Sequence, residues 1–92
     1  MYGIRVASYQ INVNAICPWI VDTEMGSSLL ADHATIKKDN VENLLQNLKD
    51  TNPLGRLMRP DEVASLAFFL ATDQAAAITG QSWSVDGGYT MI

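Results

Sequence analysis

Of the side chains most used for acid–base, nucleophilic or metal chemistry, histidine and cysteine are scarce in this sequence. There is one histidine, His33, and one cysteine, Cys17. A histidine serves as a general base only beside a group whose proton it can take, and nothing around His33 supplies one. His33 is therefore expected to be an exposed loop residue. Cys17 falls in a mostly apolar run, where a thiol is inert and core-packed, and a single cysteine excludes an internal disulfide framework. Asp22 and Glu24 are close enough to pair, but neighbouring acids in a polar loop read as a solvated face. Lys37-Lys38 reads the same way.

The elements that must position these residues follow from local patterning. Asn12-Val13-Asn14-Ala15-Ile16-Cys17 is β-prone for its length, so a strand is expected over residues 11–17. Pro18, with no donor for a ladder, ends it and opens a polar loop through Val21-Asp22-Thr23-Glu24-Met25. Upstream, Tyr2-Gly3-Ile4-Arg5-Val6 is echoed seven residues later by Tyr9-Gln10-Ile11-Asn12-Val13, and both alternate as strands do. Two copies are too few for a repeat architecture and read as a local duplication or a disrupted gene start. Residues 24–38, rich in Ser, Ala, Asp and Lys, read as loop or short helix. Val41, Leu44, Leu45 and Leu48 then recur at helical spacing, with Asp39 or Asn40 as cap and Asn52-Pro53 as stop.

The next helix carries the fullest signal. Pro60 suits its first turn, Asp61 and Glu62 suit the positive end of its dipole, and Val63, Leu66, Ala67 and Leu70 form one stripe. Ala64, Phe68, Phe69 and Ala71 broaden the apolar surface, predicting burial on more than one side. Thr79-Gly80 turns the chain into a last strand, with Trp83 and Val85 on one face and Ser82, Ser84 and Asp86 on the other. Strand, helices, strand is a crossover unit, so a right-handed connection and a parallel pair are expected. Two parallel strands make a poor stand-alone sheet, and the unit looks like one end of a larger doubly wound α/β sheet.

Ninety-two residues suffice for one small domain, and 48% hydrophobic content is high for that size, which suggests surface meant for burial against something else. The net charge of −4 comes with no basic patch, arguing against nucleic acid or anionic lipid as partners. No stretch reaches membrane-spanning length and no signal peptide is visible, so a soluble cytoplasmic chain is expected.

Three motifs, in order, carry a resemblance. They are Asn14-Ala15-Ile16-Cys17-Pro18 running to Thr23; Pro53-Leu54-Gly55-Arg56-Leu57-Met58-Arg59-Pro60; and Ile78-Thr79-Gly80-Gln81 running to Asp86-Gly87-Gly88. Over about residues 9–91 the chain resembles the C-terminal part of the short-chain dehydrogenases/reductases, of the 3-oxoacyl reductase or hydroxy-acid dehydrogenase kind. The fold this implies is the C-terminal part of a Rossmann-like parallel sheet, incomplete on its own. It divides into strand and nicotinamide loop (11–23), substrate lid (24–52), and last helix and strand (53–92). By resemblance, Pro18 lines the nicotinamide ring of NAD or NADP, Val21 offers backbone groups to the carboxamide and Thr23 a hydroxyl. A flat amide needs a donor and an acceptor in fixed places, and backbone supplies both. Arg56, Arg59 and the Asp86-Gly87-Gly88 turn are implied to be structural, and the last helix and strand to build a homo-oligomer.

Trp19 departs from the family, which places glycine there. Three outcomes are open: Trp19 blocks the nicotinamide pocket, the loop shifts by one residue, or Trp19 and Ile20 pack in the core. Two further parts of the family pattern do not occur. The six glycines are scattered at 3, 26, 55, 80, 87 and 88, with no glycine-rich turn for a pyrophosphate. No tyrosine is followed four residues on by lysine, the pair that transfers the proton in this family. The resulting expectation is a C-terminal fragment of an NAD(P)-dependent oxidoreductase that interconverts a secondary alcohol and a ketone, inactive alone and without catalytic or metal-binding residues of its own. A non-catalytic docking module for full-length relatives and a non-functional remnant are the alternatives.

Overall fold

Strand β1 (Ala15–Pro18) runs parallel to strand β2 (Ser82–Val85), with Ile16 opposite Trp83 and Pro18 opposite Val85. The computed structural model describes residues 2–37 and 40–91. Its helices are α1 (Tyr2–Val6), α2 (Glu24–Lys37), α3 (Val41–Thr51) and α4 (Pro60–Leu70), with single 3₁₀ turns at Ala7–Tyr9, Asp73–Ala75 and Tyr89–Met91. Among the described residues the sheet has these two strands, and they pair in parallel as a crossover unit requires.

The register sorts the side chains onto two faces. Ile16, Trp83 and Val85 are half-buried on one; Ala15, Cys17, Ser82 and Ser84 are exposed on the other. Cys17 is thus not the core thiol expected from its apolar neighbours. Its burial needs a second layer over that face, and none lies there among the described residues. The strand also starts later than 11–17. Residues 11–14 are instead stitched to 75–81: Asn12 Nδ2 donates to the carbonyls of Ala75 and Ala76, Val13 N to Thr79 Oγ1, and Gly80 N to Val13 O.

The first Tyr-x-Ile-x-Val copy is helix α1, not strand, despite its alternation. A strand must find an edge to pair with, whereas a helical turn closes its few hydrogen bonds locally and leaves its end groups to solvent. Gln10, in the left-handed conformation at φ 60°, closes the following 3₁₀ turn and redirects the chain into residues 11–14.

Residues 24–37 form a 14-residue helix, the helical of the two expected alternatives and longer than the short helix expected. Its polar composition hid the pair Leu30 and Ala34, which meet Leu44, Leu45 and Leu48 of α3 in a small core between the two helices. Asn40 caps α3 by accepting from Asn43 N at 2.7 Å, and Asn52 in extended conformation ends it. The other cap candidate, Asp39, and Lys38 lie outside the described residues.

Helix α4 begins at Pro60 as predicted and covers β1 with Val63, Leu66 and Leu70 half-buried. The prediction of burial on several sides does not hold: Phe68 is 75% and Phe69 40% exposed. The apolar second face is present, but no element among the described residues covers Phe68.

Two polar clamps hold the segment between α3 and α4. Asn52, only 4% exposed, donates from Nδ2 to Asp86 O at 2.8 Å and accepts from Leu54 N at 2.9 Å, tying the Asn-Pro motif to the Asp-Gly-Gly turn. Gly87 has φ 63°, and a Cβ there would overlap Asn52 Oδ1, so the turn admits only glycine. Asp86 accepts from Gly88 N and Thr90 N, and hydrogen bonds led by the Thr90 side chain hold its carboxyl below the ordinary range.

Arg56 grips Glu62 with two parallel hydrogen bonds of 2.7 and 2.9 Å, and Glu62 Oε1 also accepts Arg59 N at the start of α4. The Arg56 bonds first, and the Arg59 N–H second, lower the Glu62 carboxyl from 4.5 to about 2. A carboxyl whose pKa falls on folding stabilises the fold above its unfolded value and loses that effect as it protonates. The stabilisation is therefore complete above pH 4.5 and lost as pH falls toward 2. Arg56 is 40% exposed, so solvent screening keeps the effect modest. Acid unfolding followed by circular dichroism should show less loss of stability between pH 4.5 and 2 in Glu62→Gln than in wild type.

Candidate functional site

Beyond the carboxyl end of β1, where ligands bind in open α/β sheets, the chain does not leave the sheet at once. Trp19 N donates to Val85 O at 3.0 Å, extending the ladder by one residue. Met58 N then donates to Ile20 O at 3.0 Å, and Asp22 N donates to Met58 O at 2.9 Å, forming a parallel bridge between Val21 and Met58. Met58 is almost wholly enclosed, at 1% exposure.

This bridge decides where the Val21 peptide groups point. Each peptide unit is planar and trans, with N–H and C=O on opposite sides. The Ile20 carbonyl faces Met58, so the Val21 N–H of that unit faces away. The Asp22 N–H also faces Met58, so the Val21 C=O faces away too. Both groups of Val21 are thereby presented on the side opposite Met58, and Val21 lines a cavity of about 700 Å³.

Thr23 closes the loop onto α2. Its Oγ1 accepts Gly26 N at 3.2 Å and its carbonyl accepts Ser27 N at 2.9 Å, making it the N-cap. Its own N–H turns back to Val21 O at 2.8 Å. Gly26 is buried, and a Cβ there would collide with that same Val21 oxygen. Glycine inside a helix is costly, and the close approach of helix to carbonyl is what requires it here.

The cavity is lined by all three residues singled out from the sequence, Pro18, Val21 and Thr23, together with Leu30 and His33 of α2 and Leu48 of α3. His33 is exposed as expected but belongs to a helix, not a loop. Trp19 does not close the cavity. Its ring is half-buried and stacks on Tyr89, with centroids 5.4 Å apart and planes 26° from parallel. Trp19 and Ile20 form cavity wall rather than interior core.

Three contributors were missed in the sequence. Gly26 looked like one of several scattered glycines, and its only signal was its place three residues after a capping threonine. Met58 and Tyr89 are distant in sequence, and nothing local marks either as a neighbour of the loop. Asp22 and Glu24 are both exposed, as a solvated face requires. Among the described residues no group of three or more His, Cys, Asp or Glu could hold a metal ion, and no helix is long and apolar enough to cross a membrane.

Comparison with known proteins matches residues 1–90 to the family described as enoyl-(acyl carrier protein) reductase. The NAD-dependent glycerol dehydrogenase of Listeria innocua is 41% identical over 85 residues, which are 92% of this chain and 30% of that protein. A short-chain dehydrogenase family protein from Francisella tularensis superposes with a TM-score of 0.89 at 33% identity, over 98% of this chain and 37% of the other. An actinorhodin polyketide ketoreductase crystallised with NADPH superposes at 0.88 and 34% identity, over 96% and 34%. The chain spans about a third of the length of the relatives it matches.

Two substitutions test the loop geometry. Thr23→Ala removes the cap and should cost about 1 kcal/mol in denaturant unfolding. Gly26→Ala gains up to about 1 kcal/mol of helix propensity but forces a methyl against a backbone oxygen, an overpacking cost of about 1–3 kcal/mol. Net destabilisation, with a shifted Val21 carbonyl resonance, is the expected outcome; a stabilised protein would contradict the close approach.

Proposed function

The chain belongs to the short-chain dehydrogenase/reductase family, NAD(P)-dependent oxidoreductases with a Rossmann-like fold, and from that premise we propose that its loop holds the nicotinamide end of the cofactor. The orientation of the Val21 peptide groups carries the reading. In it the Val21 N–H donates to the carboxamide oxygen and the Val21 C=O accepts from the carboxamide nitrogen. The Thr23 hydroxyl adds a third polar contact, and Pro18 lines the ring. The groups present are one donor, the Val21 N–H, one acceptor, the Val21 carbonyl, which also receives the Thr23 N–H at 2.8 Å and the Thr23 hydroxyl at 3.5 Å, and an apolar lining.

The whole reaction in this reading is reversible hydride transfer between the nicotinamide and a secondary alcohol or ketone. A bound nicotinamide supplies or accepts the hydride. This chain's residues bind and orient the ring, while α2 and α3 cover the substrate as a lid. The glycine-rich turn and the Tyr-x-x-x-Lys pair do not occur in the 92 residues, so in this reading the chain alone does not turn over. The lone Cys17 thiol agrees with a reducing, cytoplasmic setting.

Assembly belongs to the same proposal. The exposed Phe68 of α4, the bare face of Ala15, Cys17, Ser82 and Ser84, and the enclosed Trp83 Nε1 without a partner among the described residues all favour contact with further protein. The occupant of choice is another subunit of the same family, met through α4 and β2.

Reduced nicotinamide mononucleotide, titrated into the ¹⁵N-labelled chain, should shift the amide resonances of Val21 and Thr23. Val21→Pro deletes the cavity-facing donor while sparing both Met58 bonds, and should weaken binding about five-fold or more, the effect of losing one hydrogen bond. Unchanged shifts at Val21 in wild type would refute the loop assignment.

A further inference from the structure

The cavity beside the loop has a chemical polarity of its own. Trp19, Ile20, Met25, Leu30 and Leu48 supply apolar side chains, and His33 is the one ionisable side chain among the lining residues. Gly26, Leu30 and His33 recur at i, i+4 and i+7 of α2, so they form one stripe along a single helix face. Gly26 abuts the Val21 carbonyl at one end of that stripe. His33, seven residues on, lies about 10 Å further along the helix axis at 1.5 Å per residue.

We propose that His33 is a specificity-determining residue that selects an oxo compound whose apolar body carries a hydrogen-bond acceptor at the end remote from its ketone, His33 lying about 10 Å along α2 from the residue that abuts the Val21 loop. The assignment rests on the nicotinamide loop at Val21, which fixes the reacting end of the site. Imidazole offers an N–H donor whether neutral or protonated, so a carboxylate or an ester carbonyl both satisfy it. The apolar stretch between the two ends matches the side chains of Leu30 and Leu48 and leaves a small polyol without partners for its hydroxyls.

The probes are 10-oxoundecanoate, its methyl ester, 2-undecanone and glycerol, each titrated into the ¹³C- and ¹⁵N-labelled chain. The two acceptor-bearing ketones should shift the Leu30 and Leu48 methyls, the Trp19 indole N–H and the His33 ring. His33→Ala should weaken both by about five-fold, the loss of one hydrogen bond, and leave 2-undecanone unchanged. Loss on only one of the two identifies whether carboxylate or ester carbonyl is the group selected. His33→Gln retains a side-chain donor and should restore part of the loss. Equal weakening of all three ketones would show that His33 acts by packing alone, and glycerol shifting the same methyls would show that the cavity does not select an apolar body; either overturns the proposal. Reduced nicotinamide mononucleotide separates the two assignments. Ketone shifts without nicotinamide shifts at Val21 refute the loop and leave the apolar cavity standing. Nicotinamide shifts without ketone shifts at Leu30 and Leu48 refute the substrate assignment alone.

Discussion

The two hydrogen bonds of Met58 to Ile20 and Asp22 are the constraint on which the site depends. They take the inward-facing groups of the loop and leave those of Val21 outward. Met58 can do this only because it is fixed from behind, and the fixing is polar. Asn52 holds the Asp86 turn, Gly87 makes room for Asn52 and for the Met58 methyl, and the Arg56–Glu62 pair sets the start of α4 one residue past Arg59. Three motifs separated along the chain thus form one bonded cluster behind the loop. Buried hydrogen-bonded groups of this kind specify geometry more than they stabilise, since each replaces a bond to water.

A second constraint runs the other way. The chain has a radius of gyration of 16.6 Å, where about 12 Å is typical of a compact chain of this length. Its accessible surface is 6870 Å², against about 5300 Å² expected for its mass. The excess lies where the fold stops covering itself: the outer face of α4, the bare side of the sheet, and the surface around Ile4, Tyr9 and Ile36. Apolar surface of this extent on a small protein marks interaction sites. The helical hairpin of α2 and α3 differs, because Leu30, Ala34 and Leu44 give it a core of its own.

What was legible in the sequence follows from how local each signal is. Pro60, Asp61 and Glu62 announce α4, and Asn52-Pro53 announces the end of α3, because caps and prolines act within a few residues. The alternation of Trp83 and Val85 against Ser82 and Ser84 gave the last strand its faces. The motif grouped Pro18, Val21 and Thr23, and the chain brings all three to the lining of one cavity. The failures share a cause: burial and pairing depend on what lies opposite. Cys17 was read as core from its neighbours in sequence, α1 as strand from its alternation, and α2 as loop or only a short helix from its polar composition. Each depended on a partner that the local pattern does not contain: an absent layer, an absent edge, and the leucines of α3.

Trp19 shows how a departure from a family pattern is absorbed. Its backbone continues the ladder to Val85, so the loop beyond it keeps Val21 opposite Met58. Its ring is carried sideways to Tyr89, in the 3₁₀ turn that follows the Asp-Gly-Gly corner. That corner is held by Asp86 through the amides of Gly88 and Thr90, so the position of Tyr89 is set by the same cluster that fixes Met58. The aromatic pair therefore joins the front of the loop to the segment bonded behind it. A glycine at position 19 would leave the Val21 peptide groups where they are but would remove this link. The large side chain is thus accommodated by a neighbour already positioned to receive it, and Trp19 remains part of the cavity lining.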